Sequence, residues 1–231
     1  MRQFTKNQPP KLNPTWQQRQ IDWAAELVAN PSISPKSARV SYFDTIPKPD
    51  YRPALSNEQD GLCAYCESRL SFDDSGSPDN SNEIAHWEPI AAPGGLQLML
   101  EWKNLVLSCA SGESCNHAQG DQPLGIDAPH ARDWSTKMQF QSSGLASSTD
   151  PDLDRALKVV RVDGERASEL KRARKAAIDG ELAEIQRRFS VRTVSRRYLN
   201  ERVEQLRACP DSFVSARLEH LRKRLAKATM P

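Results

Sequence analysis

GLCAYCESRL, residues 61–70, carries the pattern on which the fold turns. Cys63 and Cys66 form a CxxC. Cys109 and Cys115 form a second, looser pair, with five residues between them, about 43 residues further on. Two such pairs suit a tetrahedral four-cysteine zinc site, where the ion joins two chain turns and lets a short ββα unit fold around little apolar core. A redox CxxC and four incidental buried thiols are the alternatives. Cys209 has no partner nearby and reads as an ordinary thiol. Glu67, directly after the first pair, reads as a surface residue.

Between the pairs, NEIAHW (82–87) and NLVLSC (104–109) are short β-like runs. The polar loop DDSGSPDNSN precedes the first run. APGGLQLML lies between the two as a loop or a short helix. Trp87 and Trp102 read as ribbon core. Past residue 125 the chain looks irregular, and KMQFQSSGLAS (137–147) predicts a hairpin turning at Ser143-Gly144.

Outside this region the chain reads differently. Residues 1–14 are polar and proline-rich and predict an extended arm. Thr15 is a candidate cap for a helix to about Ala29, with Trp16, Trp23 and Leu27 on one face. Residues 38–54 carry prolines and read as irregular, with Ser56 capping one short turn before the cysteines. From Asp150 the character is helical. Asp150 caps PDLDRALKVV with Pro151 at the first position. A longer helix is expected at about 164–189, its apolar face including Leu170, Ala173, Ala177, Leu182 and Ile185. Two more follow near 192–208 and 211–228, the last capped by Asp211. This tail reads as a small helical bundle or an interaction arm. The expected fold class is thus α+β, mainly α, in three segments. Residues 1–60 form an N-terminal arm and helix, a candidate for partner docking. Residues 61–149 form the cysteine-clamped core, and 150–231 a basic helical region.

Hydrophobic residues make up 38% and aromatics 6%, so the core is modest and a metal staple would help it to fold. No apolar run approaches the roughly 20 residues that cross a bilayer, and the N-terminus lacks the apolar stretch of a signal peptide. The expectation is a cytoplasmic protein without a membrane partner, in which cysteines serve metals or stay free. The formal net charge is only +2, yet residues 155–227 hold 20 Lys+Arg against 10 Asp+Glu. That asymmetry points to nucleic acid or an acidic partner, with solvated arginine-rich helices as the bland alternative.

Taken in order, the run is Cys-x-x-Cys, a strand ending in His86, Trp102-x-Asn104, then Cys109, Cys115 and Asn116. This order resembles the HNH, or ββα-metal, endonuclease motif. The resemblance implies a zinc-clamped ββα core and phosphodiester hydrolysis, on DNA before RNA. It implies that His86 is the general base, that Asn104 braces the loop between strands, and that Asn116 helps to hold a catalytic Mg²⁺ or Mn²⁺ close to His86. Cys63, Cys66, Cys109 and Cys115 match the zinc ligands. An imidazole suits the base because its ordinary pKa lies near neutrality.

One position departs from the family pattern. Most members carry Asp or Glu before the base, as a metal ligand; here it is Ala85. Glu83, two residues earlier on the same side of a strand, is one substitute. The cation held by Asn116, phosphate and water alone is another, and an engineered change that cripples cleavage is a third. The alternative function is a catalytically impaired, zinc-stabilised nucleic-acid-binding or scaffold subunit. His117 either approaches substrate phosphate or faces solvent; His130 and His220 receive no role.

MRQFTKNQPPKL, GLCAYCESRL, EIAHWEP, WKNLVLSC and CNHAQGDQPLG together are similar to the PtuB-like nuclease subunits of Septu and retron-associated antiphage systems. That resemblance implies a PtuA-like ATPase partner of the ABC or SMC kind, and in retron versions a reverse transcriptase with its DNA product. The chain has no Walker A pattern, so ATP use would belong to the partner.

Overall fold

The computed structural model describes residues 1–7, 14–189 and 194–227. The two β-like runs pair as expected. Strand β1 (Glu83–His86) lies antiparallel to β2 (Leu105–Ser108), with Glu83 opposite Ser108, Ala85 opposite Val106 and His86 opposite Leu105. Every residue of β2 is buried. A two-stranded ribbon leaves an open edge, and here Gln59 closes part of it. Its side-chain amide accepts from Leu107 N (2.7 Å) and donates to Leu107 O (2.8 Å), standing in for a missing strand's peptide group.

Helices surround this ribbon. Helix α1 (Pro14–Ala29) starts at Pro14, one residue before the expected cap Thr15. Trp16 and Trp23 of its inner face are buried and Leu27 is packed against the core. Next come α2 (Pro35–Ala38), a wide π-helical turn over Arg39–Phe43, and α3 (Lys48–Glu58). The short α4 (Gly95–Leu98) lies between the strands, and α5 (Cys115–Gln119) follows the ribbon. The second hairpin joins β3 (Met138–Phe140) to β4 (Ala146–Ser148), turning at Gly144 with φ of +88°. Then come α6 (Pro151–Val159), α7 (Ser168–Arg188), α8 (Arg196–Ala208) and α9 (Val214–Lys227). The architecture is α+β and mainly helical. Among the described residues, no helix is long and apolar enough to cross a membrane.

One cluster of buried apolar side chains runs from Met1 and Phe4 through Trp16, Tyr51, Trp87, Trp102 and Leu157 to Phe213 and Ala216. A smaller one joins Leu62 to Ile185, Val203, Leu206 and Leu221 of the last three helices.

Several expectations are corrected. Within the stretch 38–54 read as irregular, residues 39–43 and 48–54 are helical: burial of Phe43, Tyr51 and Leu55 outweighs the hydrogen bond lost at Pro53. Ser56 is a buried residue inside α3 rather than a cap. Residues 1–7 are no free arm. Met1 and Phe4 are buried, and Lys6 donates to Glu58 Oε2 (2.8 Å) and Leu105 O (2.7 Å). Residues 8–13 of the expected arm lie outside the described residues, as do 192 and 193 at the start of the third expected helix and 228 at the end of the fourth.

Asp150 caps α6 as expected, accepting from Asp152 N and Leu153 N. Asp211 does not cap α9; it binds Ser212 N, Arg69 and Arg217 instead. The carboxylate at that helix end is Glu67, buried rather than surface, which accepts from Ser215 N (2.8 Å) and Ser215 Oγ (2.7 Å) and pairs with the Met1 amine (3.2 Å). The buried face of α7 is Leu170, Arg174, Ile178, Glu181 and Ile185; Ala173 is exposed.

Candidate metal centre and cleft

The CxxC turn forms because Glu67 takes a left-handed φ of +63°, so that Glu67 N reaches Cys63 O (3.0 Å) and Cys63 N reaches Ser68 O (2.9 Å). The second pair arrives from the end of β2 and from α5, where Cys115 N donates to Val160 O (2.8 Å). The four sulfurs thus converge. Sγ–Sγ distances are 3.8 Å for Cys63–Cys115, 3.8 Å for Cys66–Cys109 and 3.7 Å for Cys109–Cys115. All four lie within 4.8 Å of one another.

A tetrahedron of sulfurs about 2.3 Å from a central zinc has edges of about 3.8 Å. Disulfides need about 2.05 Å, and none of the four cysteines is in one. Burial foremost pushes the Cys63 thiol well up, and hydrogen bonding to Cys109 pushes Cys115 up, while S–H groups of Cys115, Cys63 and Cys66 draw Cys109 down. The four cysteines are positioned to hold a metal ion, and their spacing is compatible with structural zinc. Cys209 is exposed and apart from them.

A cleft of about 430 Å³ opens beside the ribbon. It is lined by Ala85 and His86 from β1, Asn116 from α5, Gly120 and Asp121 beyond it, and Lys36, Arg39 and Phe43 from the N-terminal segment. His86 Nε2 lies 2.9 Å from Met99 O. A carbonyl only accepts, so Nε2 carries the proton and the lone pair is on Nδ1. The Phe43 ring packs against the imidazole at 4.4 Å between centroids. Burial pushes the His86 pKa down to about 4, with Arg39 and Lys48 adding to the depression and the Met99 bond and Asp44 opposing it. The side chain is therefore neutral at pH 7.

Asn104 holds this geometry from behind. It is buried; its Oδ1 accepts from Glu88 N (2.8 Å), and its Nδ2 donates to Glu88 O (3.0 Å) and Leu98 O (3.2 Å). Those contacts fix the two ends of the loop between strands, and Met99 is the next residue. Gly95 makes the loop possible: a Cβ there would sit 1.9 Å from Pro89 O. Asn116 Nδ2 donates to Glu83 Oε2 at 2.7 Å, which leaves the Asn116 Oδ1 unused by that bond.

The structure therefore brings His86, Ala85 and Asn116 to one cleft, with Glu83 tied to its edge through Asn116. Asn104 supports them without lining it. Trp87 and Trp102 are core residues, as read from sequence: Trp87 stacks on Tyr65 and Trp102 donates to Glu58 Oε1. His117 is exposed, and His130 and His220 are half-buried away from the cleft lining. Sequence reasoning missed Lys36, Arg39 and Asp121. Asp121 follows α5 closely enough to have been a candidate; nothing local marked the two cations. Neither a protein-family model nor a curated protein matches the chain.

Proposed function

We propose that the chain is a metal-dependent endonuclease of the HNH type, with a zinc-clamped ββα core. The observation that supports this best is the single cleft in which a neutral, backbone-anchored His86 meets Asn116, itself paired with Glu83. His86 Nδ1 takes a proton from water as the water oxygen bonds to phosphorus; the P–O3′ bond breaks with its electron pair going to O3′, which takes a proton from solvent. Asn104 is a positioning residue that keeps the Met99 carbonyl on Nε2, and so keeps the lone pair on Nδ1. Asn116 Oδ1 and the Glu83 carboxylate are hard oxygen donors of the kind Mg²⁺ or Mn²⁺ takes. When bound, such an ion supplies charge neutralisation at the phosphate and at the leaving oxygen.

On this reading Glu83 substitutes for the carboxylate that Ala85 lacks. The second reading, a non-cleaving nucleic-acid-binding or scaffold subunit, rests on the buried methyl of Ala85 in the cleft wall. The resemblance to PtuB-like subunits supports a cytoplasmic effector of an antiphage complex, governed by a PtuA-like ABC or SMC-type ATPase and, in a retron setting, joined by a reverse transcriptase and its DNA product.

The test is plasmid and RNA cleavage with Mg²⁺ or Mn²⁺, with and without that ATPase, using the parent chain, His86→Ala, Glu83→Gln and Ala85→Asp. The nuclease reading expects parental cutting that His86→Ala and Glu83→Gln abolish. Cutting by Ala85→Asp alone would establish the second reading, and undiminished cutting by His86→Ala would remove the base assignment.

A further inference from the structure

The basic tail is not uniformly basic in its chemistry. Much of its charge is neutralised along exposed helix faces, in pairs such as Lys175–Asp179, Arg188–Glu184, Arg197–Glu201, Arg207–Glu204 and Lys223–Glu219. Four cations gather in one groove of about 620 Å³, Arg155, Lys158, Arg161 and Arg166, against a single acidic lining residue, Asp154, with Ala118 and Gln122 joining the lining from earlier in the sequence. Arg155 and Lys158 stand one turn apart on α6, with Asp152 and Asp154 as partial counter-charges. Among the described residues, Arg161 and Arg166 have no acidic partner within ion-pair distance.

Arg161 also occupies a left-handed position, φ +54°, where a glycine would be free of strain. The preceding residue, Val160, accepts from Cys115 N, so the groove is tied to the cysteine centre itself. Its location gives its meaning. The segment 116–122 has Asn116, Gly120 and Asp121 on the His86 cleft and Ala118 and Gln122 on this groove.

We infer that the groove lined by Arg155, Lys158, Arg161 and Arg166 binds the phosphate backbone of the nucleic acid whose scissile bond lies in the His86 cleft. The inference rests on the nuclease reading for the identity of the polyanion. An acidic protein surface would satisfy the same charges. Two arginines without counter-charges among the described residues, Arg161 and Arg166, in an open groove whose lining segment 116–122 also lines the cleft, favour phosphates.

The experiment uses the full chain carrying His86→Ala, so that binding is read without cleavage. Labelled duplex DNA and labelled RNA are titrated by anisotropy between about 50 and 200 mM salt, for this parent and for the added triple variant Arg155→Ala/Arg161→Ala/Arg166→Ala. A control replaces Arg197 and Arg207, exposed and internally paired, by Ala. Zinc content and circular dichroism check folding.

The expected result is a loss of affinity on the order of 10–100-fold in the triple variant and a salt slope shallower by roughly 2–3, with the control close to parent. Equal losses in triple variant and control, unchanged binding in the triple variant, or no binding by the parent at the lowest salt would overturn the inference. So would unchanged nucleic-acid binding accompanied by lost binding to the ATPase. If the triple variant loses DNA or RNA binding while the chain with His86 intact cuts nothing, the groove stands and the nuclease reading falls.

Discussion

Replacing Asn104 by Ala should destabilise the fold and loosen the segment whose Met99 carbonyl anchors His86. Three hydrogen bonds end, two to Glu88 and one to Leu98 O, at 2.8, 3.0 and 3.2 Å. Each is worth about 1 kcal/mol net, and an unsatisfied buried partner costs about 1–3 kcal/mol. Glu88 is half-buried, so water recovers part of the loss at its backbone. The expected cost is therefore about 2–4 kcal/mol. It is read as a lower midpoint at unchanged slope in urea unfolding of the zinc-loaded chain. Asn104→Asp discriminates the cause. It keeps an acceptor for Glu88 N but sets a carboxylate oxygen against two carbonyls, so it should be at least as damaging as Ala. A loss below about 0.5 kcal/mol for Asn104→Ala, or an Asp variant as stable as the parent, would refute the bracing role.

Removal of the metal should unfold the ribbon, since the sulfurs hold the CxxC turn, the end of β2 and α5 together. Chelation should abolish the folded near-ultraviolet signal, Cys66→Ala should do the same at equal zinc, and elemental analysis should find one zinc per chain. His86 has a folded-state pKa near 4 against about 6.5 unfolded, so the unfolded chain binds the extra proton between these values. Stability should be full above about 6.5 and fall by about 2–3 kcal/mol as pH drops toward 4; urea midpoints of His86→Gln should lose that part of the slope. Glu181 is buried, and although burial opposes its ionisation, Arg202 and Arg217 hold its pKa below the usual range. Glu181→Ala should cost about 2–3 kcal/mol, because Arg202 loses its carboxylate while Arg217 keeps Asp211; thermal and urea unfolding measure it.

Local signals were sufficient wherever a neighbour in sequence supplied the physics. Asp150 with Pro151 started a helix because its oxygen reaches the next two amides. Two cysteine pairs announced a cluster positioned to hold a metal ion because four cysteines in such spacing suit tetrahedral ligation, and the two apolar runs between them announced the ribbon. His86, Asn104 and Asn116 stood out by their order relative to those pairs. The rest depended on partners far along the chain. Glu67 caps a helix that begins almost 150 residues later, Gln59 completes the edge of a strand, and Arg174 and Glu181 are buried in α7 because carbonyls and arginines of other segments meet them. A hydropathy pattern scores such charges as surface, which is why the inner face of α7 was misplaced to include Ala173.

The cleft shows the same division. The cysteine set and the ribbon follow from residue type and short spacing, while the candidate base came from the resemblance of the residue order to the HNH motif. Three-dimensional contacts were needed for the rest. They put the Met99 carbonyl on His86 Nε2 and so place the lone pair on Nδ1, they set Glu83 against Asn116 beside Ala85, and they bring Lys36 and Arg39 to the same wall. Those outcomes come from segments that share no local pattern, and distance in space is the one quantity that spacing along a chain does not contain.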